Sequence, residues 1–244
     1  LAQPGRYIYI RDNDSRDYWS ASWQPVGKDT EQYQSRCCHG MGYTRMLADY
    51  SDIHSEADYY VPLGKSYEVW GLSVTNKSDR IRNLTLTGYA EFTNNYEQDQ
   101  VNLQYSLFIT RTLFEKDRII QQIHGNLDTL KADEEVDDKK VTERFFGLAG
   151  AEVSSYCGDK DQFLGKYHGY GDPQGVTSAD LGNVTSYNEN SCGALSCKIT
   201  LAPGESRTVI FLLGMKPSSE AEDIIKSYKK DPAGQIRQEI DTLK

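Results

Sequence analysis

Tyr7-Ile8-Tyr9-Ile10, followed closely by Asp12-Asn13-Asp14-Ser15, is the stretch that decides the fold class. Side chains of an extended chain point alternately to opposite faces, so the first four residues present one aromatic face and one β-branched face. The polar run behind them is turn chemistry, because Asp, Asn and Ser side chains satisfy neighbouring backbone groups. Tyr18-Trp19-Ser20-Ala21-Ser22-Trp23 then returns to strand character and is stopped by Pro25. The pattern implies short strands joined by turns.

Outward from this stretch the same pattern recurs. Further strands are predicted over 43–50, 54–61, 67–75, 83–92, 102–110, 118–124 and 145–153, with Asn76-Lys77-Ser78-Asp79 as a polar hairpin loop. A final hairpin joins 195–201 to 206–213 through Pro203-Gly204. About a dozen short strands separated by turn signals point to a β-sandwich. Two segments interrupt it: the charge run at 133–140, expected to be a solvated loop, and 156–192, rich in Gly, Asn, Asp and Tyr. A connection as long as the second is unusual in a compact domain, and such loops tend to bind ligands.

The C-terminus has a different period. Ser219 and Glu222 have capping-box spacing, and Ala221, Ile224, Ile225 and Tyr228 fall at i, i+3, i+4 and i+7. Asp231-Pro232 interrupts this helix, and Ile236, Ile240 and Leu243 start a second stripe that ends without a capping residue. With Leu1 just ahead of a strand, both ends lead to the expectation that the chain is a piece of a longer protein.

Composition narrows the partners. The 244 residues carry 27 Lys+Arg against 36 Asp+Glu, a net charge of −9, which argues against nucleic acid and anionic membranes. The hydrophobic fraction is 38%, yet there are 17 tyrosines, so amphipathic aromatic surface replaces aliphatic surface. Five cysteines, Cys37, Cys38, Cys157, Cys192 and Cys197, lack zinc spacing and form an odd set, as expected of reduced thiols in a cytoplasmic protein.

No catalytic constellation emerges from the residues themselves. Asp12-x-Asp14 begins like a calcium loop, but Arg16 and Asp17 stand where a ligand and the turn glycine belong. Gly165, Gly169, Gly171 and Gly175 do not have dinucleotide spacing. His39, His54, His124 and His168 are scattered, each more readily a hydrogen-bonded strand or loop histidine than a base. What stands out is aromatic–polar interleaving: Tyr18, Trp19 and Trp23, then 96–105 with Asn94, Asn95, Gln98, Gln100, Asn102 and Gln104. Aromatic faces pack on the C–H surfaces of sugars while amides bracket hydroxyls. The alternative is a sandwich that places Tyr at its rims and amides in its turns.

The blocks Gly5–Asp12 and Asp17–Val26 resemble the amino-terminal domain of the cellobiose and chitobiose phosphorylases, glycoside hydrolase family ninety-four. His39-Gly40-Met41-Gly42-Tyr43-Thr44, Tyr60-Val61-Pro62-Leu63-Gly64, Ala90-Glu91-Phe92, Phe163-Leu164-Gly165 and Leu201-Ala202-Pro203-Gly204-Glu205 agree in order. The resemblance implies a mainly β, galactose-mutarotase-like β-supersandwich over 1–216, its first strands missing. The start of a helical linker over 217–244 would follow, with an (α/α)6 barrel beyond. It also implies inverting phosphorolysis of a β-linked gluco-oligosaccharide, with phosphate as co-substrate and no cofactor, in a homodimeric glycosyltransferase. The general acid Asp would lie in the barrel, so no catalytic residue is assigned here.

One contribution of the family does map onto this chain. A sandwich loop carries a Gln-Arg pair to the acceptor subsite in cellobiose phosphorylases, and the matching positions here are Gln104 and Tyr105. Gln104 would hold hydroxyls, and Tyr105, departing from Arg, would stack on a ring. The rivals are a carbohydrate-binding or scaffold module, and a free-standing mutarotase-like epimerase, which needs His and Glu in one cleft.

Overall fold

The computed structural model describes residues 5–92, 110–124 and 141–244. Among these, strands build two antiparallel sheets. The five-stranded sheet runs in the order β11 (Ser155–Asp159), β12 (Ser191–Leu201), β7 (Arg82–Glu91), β1 (Arg6–Asp12) and β2 (Tyr18–Ser20). The eight-stranded sheet runs β3 (Gln34–His39), β4 (Tyr43–Tyr50), β5 (Ile53–Tyr60), β6 (Tyr67–Asn76), β13 (Ser206–Gly214), β10 (Val141–Ala149), β9 (Arg118–His124) and β8 (Thr110–Glu115). The mainly β sandwich expected from the alternation is what the chain has.

Period-two alternation divides the side chains between three apolar layers. Ile8 and Ile10 of β1, Leu84 and Leu86 of β7, Trp70 and Leu72 of β6, and Phe146 and Phe211 fill the space between the sheets. Val69, Phe145, Ile210 and Leu212 point out of the eight-stranded sheet toward the C-terminal helices α3 (Ser218–Tyr228) and α4 (Pro232–Thr242). Tyr9, Tyr89, Cys192 and Ala194 point out of the five-stranded sheet. They meet Phe163 of the short helix α1 (Lys160–Leu164) and Val176 of the single turn α2 (Gln174–Thr177).

The helices lie close to their sheet because two strand positions lack a Cβ. A methyl at Gly71 would sit 2.3 Å from Ile236 Cδ1, and one at Gly147 would sit 2.4 Å from Ile225 Cδ1. The capping box expected at Ser219 and Glu222 does not form. The helix starts at Ser218, whose N–H donates to Glu143 Oε2 at 2.7 Å, so a carboxylate of β10 satisfies the helix end. Glu222 instead pairs with Lys116 and Lys226, each at 3.1 Å. The second stripe is capped at its start as Pro at N1 demands, with Asp231 Oδ1 accepting from Gly234 N–H at 3.0 Å.

Other departures have local reasons. β3 reads Gln-Ser-Arg-Cys-Cys-His and is almost wholly exposed at a sheet edge, so it carries no apolar alternation. β11 and α1 lie inside the stretch read as irregular, where Gly and Asp hide short elements. The strand expected over 145–153 begins earlier and ends at Ala149. The charge run at 133–140, and the strand expected over 102–110 apart from Thr110, lie outside the described residues.

Candidate functional site

The outer face of the five-stranded sheet gathers aromatic rings around one carboxylate. Alternation on β1 puts Tyr7 and Tyr9 on this face, and β7 adds Tyr89 beside them, since Tyr7 is directly opposite Tyr89 in the register. Tyr7 stacks on Tyr89 with centroids 6.1 Å apart, and Tyr89 stacks on Phe163 at 4.5 Å. Tyr170, from the irregular segment, closes on Tyr7 at 5.3 Å and accepts from Tyr9 Oη through its carbonyl at 2.9 Å.

At the end of β7, Glu91 is held from two sides. Lys160 Nζ donates to Oε1 at 2.7 Å and Tyr170 Oη donates to Oε2 at 2.6 Å. The Lys160 and Glu91 side chains are only 17% and 18% exposed, so the pair is worth more than a surface ion pair. Burial opposes the Lys160 charge, but the hydrogen bond and charge of Glu91 outweigh it and raise its pKa. Burial, and then the hydrogen bond to Glu91, raise the Tyr170 phenol. Burial and the Glu91 charge do the same to Tyr7. Both Glu91 oxygens are therefore engaged by donors, which suits a binding and positioning cluster better than an acid or base.

Beside this cluster, Lys28 lies 5.5 Å over the Tyr18 ring and 5.6 Å over Tyr50, and Tyr50 Oη donates to Asp17 Oδ2 at 2.9 Å. Trp19, read from sequence as a sugar platform, is a core residue: it is 1% exposed and packs on Tyr50 at 5.1 Å. Trp23 packs against the same inter-sheet core and donates through Nε1 to the Lys28 carbonyl at 2.7 Å. Tyr18 and Trp23 are both half-buried, and Tyr18 lies beside a cation.

Asp12, the first residue of the calcium-like run, is already engaged. It is fully buried and accepts from Asp14 N–H at 3.0 Å, Ser15 Oγ at 3.0 Å and the buried Arg82 Nη2 at 2.9 Å. Burial pushes its pKa up, but those hydrogen bonds and the Arg82 charge prevail and hold it below the usual carboxylate value. The three histidines whose side chains are described make local contacts, His39 with Thr44, His54 with Asp49 and His168 with Asp172. Gln104 and Tyr105 lie outside the described residues, in the sequence segment that starts two positions after Glu91. Sequence reasoning noted the aromatic face of β1 but missed Lys160 and Tyr170. Their partner Glu91 is 69 and 79 positions away, beyond any local pattern.

Residues 1–231 match the family described as glycosyl hydrolase 94, supersandwich domain. The chain belongs to that family. An N,N'-diacetylchitobiose phosphorylase of Vibrio proteolyticus is 34% identical over 87% of this chain and 25% of its own length. One of Vibrio furnissii is 31% identical over the same shares. A solabiose phosphorylase of Paenibacillus borealis is 30% identical over 88% of this chain and 26% of its own. The chain thus spans about a quarter of the length of these curated relatives. Within this supersandwich domain, the Tyr–Glu–Lys cluster occupies the face away from the second sheet, and no described helix is long and apolar enough to cross a membrane.

Proposed function

We propose that this supersandwich domain belongs to an inverting glycoside phosphorylase that cleaves a β-linked disaccharide with phosphate and yields an α-sugar 1-phosphate. The observation that carries this is the 34% identity to an N,N'-diacetylchitobiose phosphorylase over 87% of the chain, within a family match over residues 1–231. That relative favours a chitobiose-type substrate among the β-linked oligosaccharides that the resemblance implies. The acid that protonates the leaving oxygen is expected in an (α/α)6 barrel of the same protein. The sandwich then serves dimerisation and the acceptor side, with Gln104 holding sugar hydroxyls and Tyr105 stacking on the ring.

The test is phosphate release by the intact protein. It is to be supplied with N-acetyl-α-glucosamine 1-phosphate and N-acetylglucosamine, and separately with α-glucose 1-phosphate and glucose or cellobiose. The first pair is expected to be the better one. Release from neither donor, with any acceptor of either series, overturns the reading. Tyr105→Ala is expected to raise the acceptor KM about tenfold at little change in kcat, as loss of ground-state stacking requires. An unchanged KM would leave the sandwich a scaffold.

A further inference from the structure

Cys157 on β11 and Cys192 on β12 stand at the two ends of the irregular segment that covers the aromatic face, 35 positions apart in sequence. Both are fully buried, both are free thiols, and both belong to the apolar layer of Tyr9, Tyr89 and Phe163. The strand register explains why they meet. Cys157 is opposite Ala194 and Asp159 is opposite Ser191, so one residue of β11 faces two of β12. This bulge draws Cys192 alongside Cys157 on the same face. The Cys192 thiol donates to the Cys157 carbonyl at 3.6 Å, and the Cys157 thiol donates to the Asp159 carbonyl at 3.1 Å. Cys197 points instead into the layer between the sheets, and Cys37 and Cys38 sit on β3 of the other sheet.

We propose that Cys157 and Cys192 form an oxidisable dithiol that a hydroperoxide converts into a disulfide, turning residues 158–191 into a covalently closed loop. The Cys157 thiolate attacks the terminal peroxide oxygen, the O–O bond breaks, and the departing alkoxide (hydroxide for hydrogen peroxide) takes up the thiol's proton as an alcohol or water, leaving a sulfenic acid. The Cys192 sulfur then attacks the Cys157 sulfur, the S–O bond breaks, and the hydroxyl leaves as water with the Cys192 proton. Two thiols lose two electrons in total and the peroxide gains them. The neighbouring Cys192 thiol lowers the Cys157 pKa, whereas burial raises that of Cys192, which assigns attack to the first and resolution to the second. Because both sulfurs are buried, reaction follows local opening of the segment. The disulfide would lock in place the segment that supplies Lys160, Phe163 and Tyr170 to the aromatic face.

The experiment uses the intact protein carrying Cys37→Ser and Cys38→Ser, exposed to hydrogen peroxide, then unfolded, alkylated and mapped without reduction. A cross-linked peptide pair joining 157 to 192 is expected, with Cys197 still alkylated. Proteolysis within 158–191 should be several-fold slower, and dithiothreitol should reverse both changes. In Cys192→Ser, oxidation is expected to stop at a Cys157 sulfenic acid that dimedone traps. The proposal is overturned if both thiols stay alkylatable even when sub-denaturing urea opens the segment during exposure. It is equally overturned if the oxidised Cys157 or Cys192 joins some other cysteine.

Discussion

The two outer faces of the sandwich are both covered, but by opposite means. Behind the eight-stranded sheet, Ile225 and Ile236 of two regular helices enter gaps left by Gly147 and Gly71, and Tyr67 and Tyr228 add rings to a close contact. Behind the five-stranded sheet, an irregular segment lays Tyr170, Phe163 and Lys160 over Tyr7, Tyr9, Tyr89 and Glu91. The first face rests on a shape fit between regular helices and glycines, with phenols and a carboxylate at its polar points, and the second on rings and directed polar contacts of an irregular segment. Shape-fitted packing fails all at once when it is overfilled, whereas a cover of loops can open locally and leave the sheets intact.

The largest effect is expected where shape decides. Gly147→Leu must displace Ile225 and lift α3, lowering stability by about 3 kcal/mol in urea unfolding. Adding Ile225→Ala should recover more than half of that loss, because the new side chain then fills the vacated space. If the double variant is no better than the single one, the fit between glycine and isoleucine is not what seats the helix.

Phe163→Ala attacks the other face. A buried ring of this kind costs about 3–5 kcal/mol when truncated in a core. Here the global loss is expected to be only about 2 kcal/mol, since the deficit cannot exceed the free energy of opening the segment. Hydrogen exchange should show a larger loss of protection in 160–181 than in β1, β7 and β12. Equal loss of protection in those strands would erase the contrast between the two covers.

How far this contrast was legible in the sequence follows from its physics. Alternation in Tyr7–Ile10 and the Ala221, Ile224, Ile225 and Tyr228 stripe expose their faces through spacing alone, so the sandwich and its helices could be read. β3 and β11 have no apolar period to read, the first because it is exposed, the second because it is short and lies among glycines. The Glu91 cluster joins strand, helix and loop across 69 to 79 positions, and no local rule links them. Trp19 shows the converse error: aromatic content suggested a platform, but side-chain direction on β2 turned it inward.

Tyrosine phenols are common to both faces and allow a finer test. Tyr228 Oη donates to Glu239 Oε1 at 2.9 Å on the helix side, and Tyr60 Oη donates to Oε2 of the same carboxylate at 2.9 Å. Tyr228→Phe is expected to cost about 1.5 kcal/mol, the usual value for a hydrogen bond to a charged acceptor. Burial first, and then neighbouring groups, raise the phenols of Tyr60, Tyr228, Tyr9 and Tyr89 above the ordinary 10.0. Burial pushes Tyr33 to about 12. A raised folded pKa gives stability that is complete below the unfolded value and lost as pH rises through the folded one. Stability should therefore fall above pH 10, between 10 and 12 for Tyr33 in particular. A fall from these groups that begins below pH 9 would contradict their burial.

The smallest effect is expected at Glu91→Gln, which keeps the shape of the cluster and removes its charge. Tyr170 still finds an acceptor, but Lys160, only 17% exposed, loses the carboxylate that offsets its burial. The expected loss is about 1 kcal/mol, discounted because the ammonium can turn toward water. Lys160→Met in the same background should return most of it, since an unpaired buried charge costs more than an apolar stem. That recovery distinguishes a cluster held by directed charge from one held by its rings. If Glu91→Gln and Lys160→Met instead add independently, the rings alone hold the cover, and the two faces of the sandwich differ only in the regularity of what lies on them.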